Sequence, residues 1–548
     1  MINQPHCFGR RGVTCFRWRR LRWLGIFIFA SLVHLPGEES RLLLLHTADV
    51  HDHLRADYIG IGGLPYVSGY IDAVRRDRND VLVVDGGDLM EKGDLVAYRT
   101  SGDVTAKAFR RIGYDAITFG NHDFDFGLPG LRRFEEILGQ GFLMLNLVDP
   151  TGEPVFEPSR ILEVNGIRIG LIGMIDPRNP HFGGLDAMDS GKALAEEAKR
   201  LKEETHLVIA VCHAGTRQLR EWSAMAPEVD VLVAAHTHET LLEPMVVEET
   251  EALIVSAGAN AHWVGRLEIE VDLEKRKVVD YTGELVLMRH DAIPVDEAML
   301  AWLEEQEEKY APEASEWIMD LEEPVGWFAL GRLAAEVIRK EAEADIGFFH
   351  PTQLVRNPLP AGPIDVNALF RVSAERADPI LRLQVSGAEI THYLDGMSMS
   401  NWGQTQWAGF KLAVEEKGDG KSIYRNALDP DRIYTVVMAE REYQRYFVRH
   451  FEPTYVKSLY GSRFPNPEPG QPLPGRNFPA ERMPFSFLEA LTNYLKAVHL
   501  SGQPLSDHLG QLKLKQGGVD PNEALYRERL LRKVRPEYYL ELEGKAVE

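Results

Sequence analysis

Short apolar runs alternate with amphipathic segments between residues 41 and about 290. The segments at 64–76, 103–112, 128–139 and 191–204 carry apolar residues at helical spacing. The runs between them have the length of buried strands and lie at Leu42–Leu45, Val81–Val84, Ala116–Phe119, Phe142–Leu147, Ile167–Ile175, Leu207–Val211, Val231–Ala234 and Leu253–Ser256. Strands alternating with helices predict an α/β domain over residues 41–290. A hairpin at Arg266–Val271 and Lys277–Tyr281 is expected to close the sheet edge.

The rest of the chain also contains apolar runs and amphipathic segments, but they are more widely spaced. Residues 291–325 are acidic and bounded by prolines, with one helical pattern inside, and predict a linker. Residues 326–548 predict a second α/β domain. Its expected elements are a helix at Phe328–Ala342, strands at Asp345–Phe349, Ile380–Val385 and Ile433–Met438, a long Pro-rich and Gly-rich loop at 461–484, and a helix at 485–498.

The N-terminal segment has its own pattern. Six arginines precede an apolar run from Trp23 to Leu35, and the first acidic residue is Glu38. This order predicts that residues 1–35 are a signal peptide or a signal anchor. The run is shorter than the ~20 residues of a membrane span, so cleavage is the favoured interpretation. We therefore expect an exported protein, periplasmic or on the cell surface or extracellular, with membrane contact only through this segment if it stays uncleaved.

Composition and charge exclude two classes of protein. The 548 residues are 44% hydrophobic and 26% charged, which is enough apolar content to rule out disorder as the main state. The formal net charge is −22. Binding to the phosphate backbone depends on Lys and Arg, so a protein that coats nucleic acid is not expected.

Polar side chains follow five of the predicted strands, at the point where each strand ends. In an open α/β sheet this edge is where ligands bind. Each side chain alone has an ordinary structural explanation, such as a helix cap or a buried histidine. Five in succession, with mixed Asp, Asn and His donors, favour a pair of divalent first-row ions: Mn, Zn, Fe or Co. The candidate ligands are Asp49, His51, Asp88, Asn121, His213, His236 and His238.

In order and spacing these residues resemble the 5'-nucleotidase family of the calcineurin-like metallophosphoesterases. The motifs read D-V-H at 49–51, G-D at 87–88, G-N-H-D at 120–123, a lone His213, and A-H-T-H at 235–238. Ala235 stands where the family usually has glycine and is expected to crowd the turn slightly. The resemblance implies a layered α/β/β/α metallophosphoesterase domain followed by a 5'-nucleotidase-type α/β C-terminal domain.

The resemblance also implies roles for individual residues. One ion would be held by Asp49, His51, Asp88 and His238, and the second by Asp88, Asn121, His213 and His236. Asp88 would bridge them, and the ions would activate a water that attacks phosphorus. His122 would face the substrate as an acid or electrostatic catalyst, oriented by Asp125. Asp52, His53, Asp123 and His262 are interpreted as supporting residues.

The C-terminal half departs from the family where the family recognises substrate. HPTQLVR replaces the usual Asn-Gly-Gly-Xaa-Arg, and AEREYQRYF replaces the usual Gly-Gly-Asp-Gly loop. Candidate substrate-binding residues are Arg356, Trp402 and Trp407, although aromatic residues in a half-buried sheet are more often core.

We therefore expect a dimetal hydrolase of small-molecule phosphoesters whose specificity differs from that of simple 5'-nucleotidases. Alternatives on the same site are a nucleotide-sugar or cyclic-nucleotide hydrolase and a thiosulfate-oxidation-type sulfohydrolase. A surface binding protein that keeps its metals for stability is the non-enzymatic alternative. The presence of His122 and Asp125, which a purely structural metal site does not need, argues against it.

Overall fold

The fold comes from a computed structural model, which describes residues 39–57, 60–91, 93–178, 182–350, 357–372, 379–397, 405–416, 422–448, 451 and 478–515. The predicted signal segment at 1–35, the loop predicted at 461–484 for all but its last few residues, Arg356 and Trp402 lie outside these ranges. Among the described helices, none combines the length and apolar character needed to cross a membrane.

The strands are β1 (Glu39–Thr47), β2 (Val81–Asp85), β3 (Ala116–Ile117), β4 (Leu147–Val148), β5 (Ser159–Val164), β6 (Ile167–Ile175), β7 (Asp186–Ala187), β8 (Leu207–His213), β9 (Val231–Ala234), β10 (Met245–Val246), β11 (Leu253–Ser256), β12 (Trp263–Asp272), β13 (Lys277–Leu287), β14 (Trp317–Leu321), β15 (Ile346–Phe349), β16 (Gly362–Asp365), β17 (Ile380–Ser386), β18 (Gln406–Ala408), β19 (Leu412–Glu416), β20 (Ser422–Asn426), β21 (Ile433–Ala439) and β22 (Ala480–Arg482).

The helices are α1 (Leu64–Asp77), α2 (Leu95–Arg99), α3 (Asp103–Ile112), α4 (Gly127–Leu138), α5 (Ser190–Lys202), α6 (Thr216–Met225), α7 (Glu297–Tyr310), α8 (Trp327–Glu341), α9 (Val366–Val372), α10 (Gly387–Met397), α11 (Glu440–Glu442), α12 (Phe487–Leu500) and α13 (Leu505–Lys515). A 3₁₀ turn covers His122–Phe126, and a π turn covers Tyr443–Phe447.

Two sheets pack face to face in the first half. One has the order β13-β12-β1-β2-β3 and the other β10-β11-β9-β8-β6-β5. Side chains alternate along β1, so Leu42 and Leu44 fill the space between the sheets. Leu43 and Leu45 lie on the other face of the sheet, buried beneath its covering helices. Helices α1 and α3 cover the outer face of the first sheet, and α5 and α6 that of the second. The layered α/β/β/α prediction is confirmed.

Parallel pairing brings the ends of several strands to one edge. β1, β2 and β3 are parallel to one another, and so are β6, β8, β9 and β11. The predicted hairpin forms as β12 and β13, with β13 on the sheet edge. The carboxyl ends of β1, β2, β3, β8 and β9 therefore carry the loops in which the candidate ligands lie.

The strand predicted at Phe142–Leu147 is wrong over most of its length, because only Leu147–Val148 is a strand. The run is nevertheless buried, and its backbone bonds explain both facts. The Leu143 amide donates to the Ile117 carbonyl at the end of the first sheet, whereas the Leu145 amide donates to the Gly173 carbonyl in the second. The segment passes between two sheets instead of running along one, which burial alone cannot reveal.

The second half contains a sheet of order β18-β15-β21-β17-β22. Helices α8 and α12 pack on one face and α10 on the other. The segment at 291–325, predicted to be a linker, contains α7 and β14, and β14 pairs with β16. One apolar cluster includes Leu43 of β1 and Leu333 of α8, so the two halves share a continuous core.

Candidate metal centre

The candidate ligands lie on turns with unusual backbone conformations. Asp49, His51, Asp88, His236 and His238 all have positive φ angles, of 52°, 52°, 54°, 71° and 56°. Residues other than glycine rarely occupy this left-handed region, and each one costs about 1–3 kcal/mol, so it persists only where the surroundings enforce it. Such strain concentrates at functional sites, where it aims side chains that relaxed turns would point elsewhere.

The first donor group consists of Asp49, His51 and His238, whose ligand atoms lie within 4.8 Å of one another. His51 Nε2 and His238 Nε2 are 3.0 Å apart, and Asp49 Oδ1 is 3.6 Å from His238 Nε2. Asp49 and His51 are fully buried, and His238 is partly exposed. Two imidazole nitrogens at this distance repel each other unless a proton or a metal cation lies between them.

The second group consists of Asp88, His213 and His236, again within 4.8 Å. Asn121 joins them, because its Oδ1 and the Asp88 Oδ2 both lie 3.3 Å from His213 Nε2. The same Asp88 oxygen is 3.6 Å from His51 Nε2 in the first group. Asp88 is thus placed between the two groups, where one carboxylate can serve two cations.

Two buried histidines, His51 and His213, have backbone contacts that suit metal binding. His213 Nδ1 lies 3.0 Å from the Gly86 carbonyl, and His51 Nδ1 lies 3.3 Å from the Met90 carbonyl. A proton on Nδ1 that is donated to a carbonyl leaves the Nε2 lone pair directed into the cluster. The donor set therefore fits divalent ions of the borderline type that accept imidazole, carboxylate and amide oxygen together.

Electrostatics in the cluster support the same conclusion. Burial alone lowers the pKa of His213, but the Asp88 carboxylate outweighs it and raises this pKa to about 9. Burial raises the pKa of Asp88, but His213, His122 and His51 hold it well below the usual value. Burial and the neighbouring His213 lower the pKa of His236 to about 4. Concentrated buried charge of this kind is typical of sites that hold a cation.

Two acidic residues hold the ligand loops without joining either group. Asp123 accepts from the amides of Gly120 at 2.7 Å and Met90 at 2.9 Å. Asp52 accepts from the Glu91 amide at 2.7 Å and from the Thr105 hydroxyl. These bonds connect the loops after β1, β2 and β3, which explains how three separate strands hold a common geometry.

Ala235 causes less crowding than the sequence suggested. Its backbone is not in the left-handed region, so a side chain is tolerated there. A Cβ added to Gly86 would lie 3.0 Å from the Ala235 Cβ, which shows that the opposite position supplies the space. The departure from the usual glycine is compensated by Gly86.

His122 and Asp125 lie beside the two groups. The His122 amide donates to Asp88 Oδ1 at 2.9 Å, which places the His122 backbone against the shared carboxylate. The His122 side chain is 19% exposed, and its Nδ1 forms an ion pair with Glu91. Ligand atoms of His122, Asp125 and Glu91 all lie within 4.8 Å of one another. Sequence analysis missed Glu91, which is only 3% exposed, because no spacing rule distinguishes it within the loop after Asp88.

Asp176 and Arg178, which the sequence analysis did not single out, lie just beyond the end of β6. Ile175, its last residue, pairs in register with His213, and Asp176 follows it. The Asp176 carboxylate takes a bidentate contact from the Arg178 guanidinium, at 2.9 Å from Nε and 2.5 Å from Nη2. Burial raises the pKa of Asp176, but Arg178 and His236 lower it below the usual value. The available signal was that β6 ends at the same edge as β8.

In the second half, Trp407 lies on β18 and is only 2% exposed. Its ring centroid is 6.0 Å from that of Phe410, within an apolar cluster on one face of the sheet. Tyr446 stacks on His350 at 4.5 Å. A substrate role for Trp407 stays a prediction, and it requires the side chains that cover this indole to move.

Known proteins share both halves of the chain. The family model described as "Calcineurin-like phosphoesterase" matches residues 42–240, and the model described as "5'-nucleotidase, C-terminal domain" matches residues 321–440. A 5'-nucleotidase from Vibrio cholerae is 27% identical over 451 residues, which cover 70% of this chain and 80% of that protein.

Solved structures show the same fold. The crystal structure of a 5'-nucleotidase precursor from Thermus thermophilus superposes with a TM-score of 0.65 at 22% identity, covering 84% of this chain and 96% of that one. A sulfate thiohydrolase from the same organism superposes with a TM-score of 0.61 at 17% identity, covering 83% and 94%. Likenesses at these identities establish the architecture of both halves.

Proposed function

Because the chain belongs to the 5'-nucleotidase family of the calcineurin-like metallophosphoesterases, and is therefore a metal-dependent phosphoester hydrolase, we propose that it works through two divalent ions held at the carboxyl edge of its paired sheets. The observation that carries the proposal is the position of Asp88. One oxygen of this buried carboxylate lies near His51 and His213, which belong to different donor groups.

The proposed ligands follow from these groups. Asp49, His51 and His238 would hold one ion, Asn121, His213 and His236 would hold the other, and Asp88 would serve both. When bound, such a pair of ions activates a water nucleophile and neutralises charge on the transferring phosphoryl group.

Residues of the chain itself are proposed to carry the remaining steps. His122, one residue beyond Asn121, gives a proton to the leaving oxygen or stabilises charge on the phosphoryl oxygens. Asp125 assists by holding this ring. The backbone bond from His122 to Asp88 holds the His122 backbone against the shared carboxylate, which supports a role for this ring beside the metal ligands.

The proposed substrates are small phosphoesters other than simple nucleoside 5'-monophosphates. Residues 41–290 would do the chemistry, residues 291–325 would link, and residues 326–548 would select the substrate. The loops that replace the family's Gly-rich substrate segments leave Arg356, Trp402 and Trp407 as candidate contacts. Residues 1–35 would direct export to the periplasm, the cell surface or the medium.

A substrate panel in metal-stripped and metal-reconstituted protein tests the proposal. It sets p-nitrophenyl phosphate and its diester beside AMP, nucleotide sugars, cyclic nucleotides, sugar phosphates and sulfur esters. Asp88→Asn should abolish hydrolysis of every substrate. The matched control is Asp272→Asn, which alters a carboxylate of similar burial. Asp272 lies on β12 opposite Glu39 in the strand register, at the end of β1 away from the candidate site. Hydrolysis that persists after metal removal, or an active Asp88→Asn protein, would overturn the proposal.

A further inference from the structure

Several hydrogen bonds hold the described residues of the loop after Asp88. The Met90 and Glu91 amides donate to Asp123 and Asp52, and Gly93 packs so tightly that a Cβ there would lie 2.1 Å from the Asp52 backbone. Glu91 itself has a φ of 74°, in the left-handed region. Strained conformations of this kind concentrate at functional sites, where the surroundings enforce them.

The Glu91 side chain points at the proposed acid. Glu91 Oε2 and His122 Nδ1 are in ion-pair contact, and the Glu91 side chain is 3% exposed. Asp125 belongs to the same cluster, but it lies on the exposed side, where water screens its charge. A buried carboxylate interacts more strongly with the ring than an exposed one because little solvent screens it.

We propose that Glu91 is a positioning residue for His122, fixing the ring through Nδ1 so that Nε2 meets the leaving oxygen of the substrate. The contact is favourable when Nδ1 carries its proton, because a carboxylate oxygen and a bare nitrogen lone pair repel each other. As the P–O bond breaks, the Nε2 proton passes to the leaving oxygen and the Nδ1 proton stays with the ring beside Glu91. The two carboxylates would then divide the work, with Glu91 orienting from the buried side and Asp125 from the exposed side.

A third metal ion in the Glu91, His122 and Asp125 cluster is the competing interpretation, since these atoms are close enough to hold one. The direct contact between Glu91 and His122 favours the positioning role, because an ion between them would need both atoms turned towards it rather than towards each other. Metal stoichiometry separates the two interpretations.

The kinetic test rests on the proposed function and compares Glu91→Leu with Glu91→Gln in metal-loaded full-length protein. Glu91→Leu should lower kcat about 10–100-fold, less than loss of the acid itself, with KM and metal content unchanged. Glu91→Gln should recover part of this loss, because its amide oxygen keeps a partial negative charge beside Nδ1, whereas leucine offers none. Alkyl phosphates, which need a proton on the leaving oxygen, should be affected more than p-nitrophenyl phosphate. Glu336→Gln, which alters a buried glutamate on α8, is the control and should change nothing in kcat.

A double-mutant cycle separates positioning from general support of the fold. In a His122→Ala background, Glu91→Leu should cause no further loss, since residues that act as a unit are not additive. An equal loss in both backgrounds would overturn the inference, and so would a third equivalent of metal that disappears in Glu91→Leu.

A spectroscopic arm holds even if no substrate is found. In zinc-loaded protein, one-dimensional proton NMR should show a far-downfield imidazole N–H signal, identified by its loss in His122→Asn. That signal should vanish in Glu91→Leu and persist in Glu336→Gln. If wild-type protein hydrolysed nothing but showed this pattern, the proposed function would fail while the Glu91 contact stood. A signal unchanged in Glu91→Leu would refute the contact.

Discussion

Replacing Arg371 with leucine should strongly destabilise the protein, because this side chain forms buried ion pairs and hydrogen bonds between the two halves. Arg371 lies on α9 and is 6% exposed. Its Nε donates to Asp94 at 2.6 Å, its Nη1 to Asp57 at 2.7 Å, and its Nη2 to the Arg55 carbonyl at 3.0 Å. All three partners belong to the loops that follow β1 and β2, close to the candidate ligands.

The magnitude follows from what Arg371→Leu would leave behind. The Asp94 side chain is fully buried and that of Asp57 is 19% exposed, so at least one carboxylate would lose its main cation without gaining water. Breaking a buried ion pair from one side costs about 3–5 kcal/mol. Arg55 also lies near Asp94, and His262 pairs with Asp57, which places the expected loss towards the lower end of that range.

The loss should also depend on pH in a defined direction. Burial raises the pKa of Asp94, but Arg371 and then Arg55 outweigh it, so the folded-state pKa is below the usual value. A lowered carboxylate pKa contributes stability above the unfolded pKa of about 3.9 and loses it as the pH falls below that value. The cost of Arg371→Leu should therefore be complete at pH 7 and shrink as the solution is acidified.

Urea denaturation at pH 7 and at about pH 3, below the unfolded pKa of about 3.9, measures both effects. The control is Arg99→Leu, which removes an ion pair between side chains that are 52% and 39% exposed, Arg99 and Glu313. An exposed pair of this kind contributes about 0–1 kcal/mol. If Arg371→Leu lowered the free energy of unfolding no more than Arg99→Leu, or lowered it more in acid than at neutral pH, the reasoning about the buried Arg371 ion pairs would be refuted.

Three further outcomes are expected. Gly120→Ala should lower the metal content, because its Cβ would lie 2.0 Å from Asp88 Oδ1. The control Gly510→Ala on α13 places its Cβ where nothing lies within 4 Å and should leave the metal content unchanged. Metal analysis of both variants checks this. His122→Ala should reduce turnover about 10²–10⁴-fold while metal content stays near wild type, and a parallel loss of metal would make His122 a ligand. AMP should be a poor substrate, because losing two recognition contacts costs about two powers of ten in kcat/KM; a kcat/KM above about 10⁶ M⁻¹s⁻¹ would contradict this.

Much of the fold and the edge that holds the site could be predicted because the relevant signals are local. The runs at Ile167–Ile175, Val231–Ala234 and Leu253–Ser256 are strands over the full predicted lengths, since buried parallel strands are uniformly apolar and end abruptly in polar loops. The same abrupt ends placed the donor residues on one edge, and the structure brings seven of them together in two adjoining groups.

What the sequence did not reveal depends on distant contacts and backbone conformation. Glu91 reaches His122 only because its loop takes a left-handed turn, and neither residue type predicts one. Arg371 finds Asp57 across 314 positions of sequence, where no periodicity applies. In the connector, β14 forms because β16 offers a pairing edge, which is a tertiary effect that overrides the local acidic composition.

The central claim is that one carboxylate, Asp88, serves two metal ions that carry out phosphoester hydrolysis. Mass-spectrometric metal analysis of wild-type and Asp88→Ala protein, purified in parallel and assayed on p-nitrophenyl phosphate and its diester, tests it most directly. The account predicts two divalent ions per active wild-type chain, with both sites weakened and hydrolysis lost in Asp88→Ala, because a single change removes a ligand from each ion. A fully active wild-type chain holding one ion or none, or an Asp88→Ala protein that keeps both ions and its activity, would contradict it.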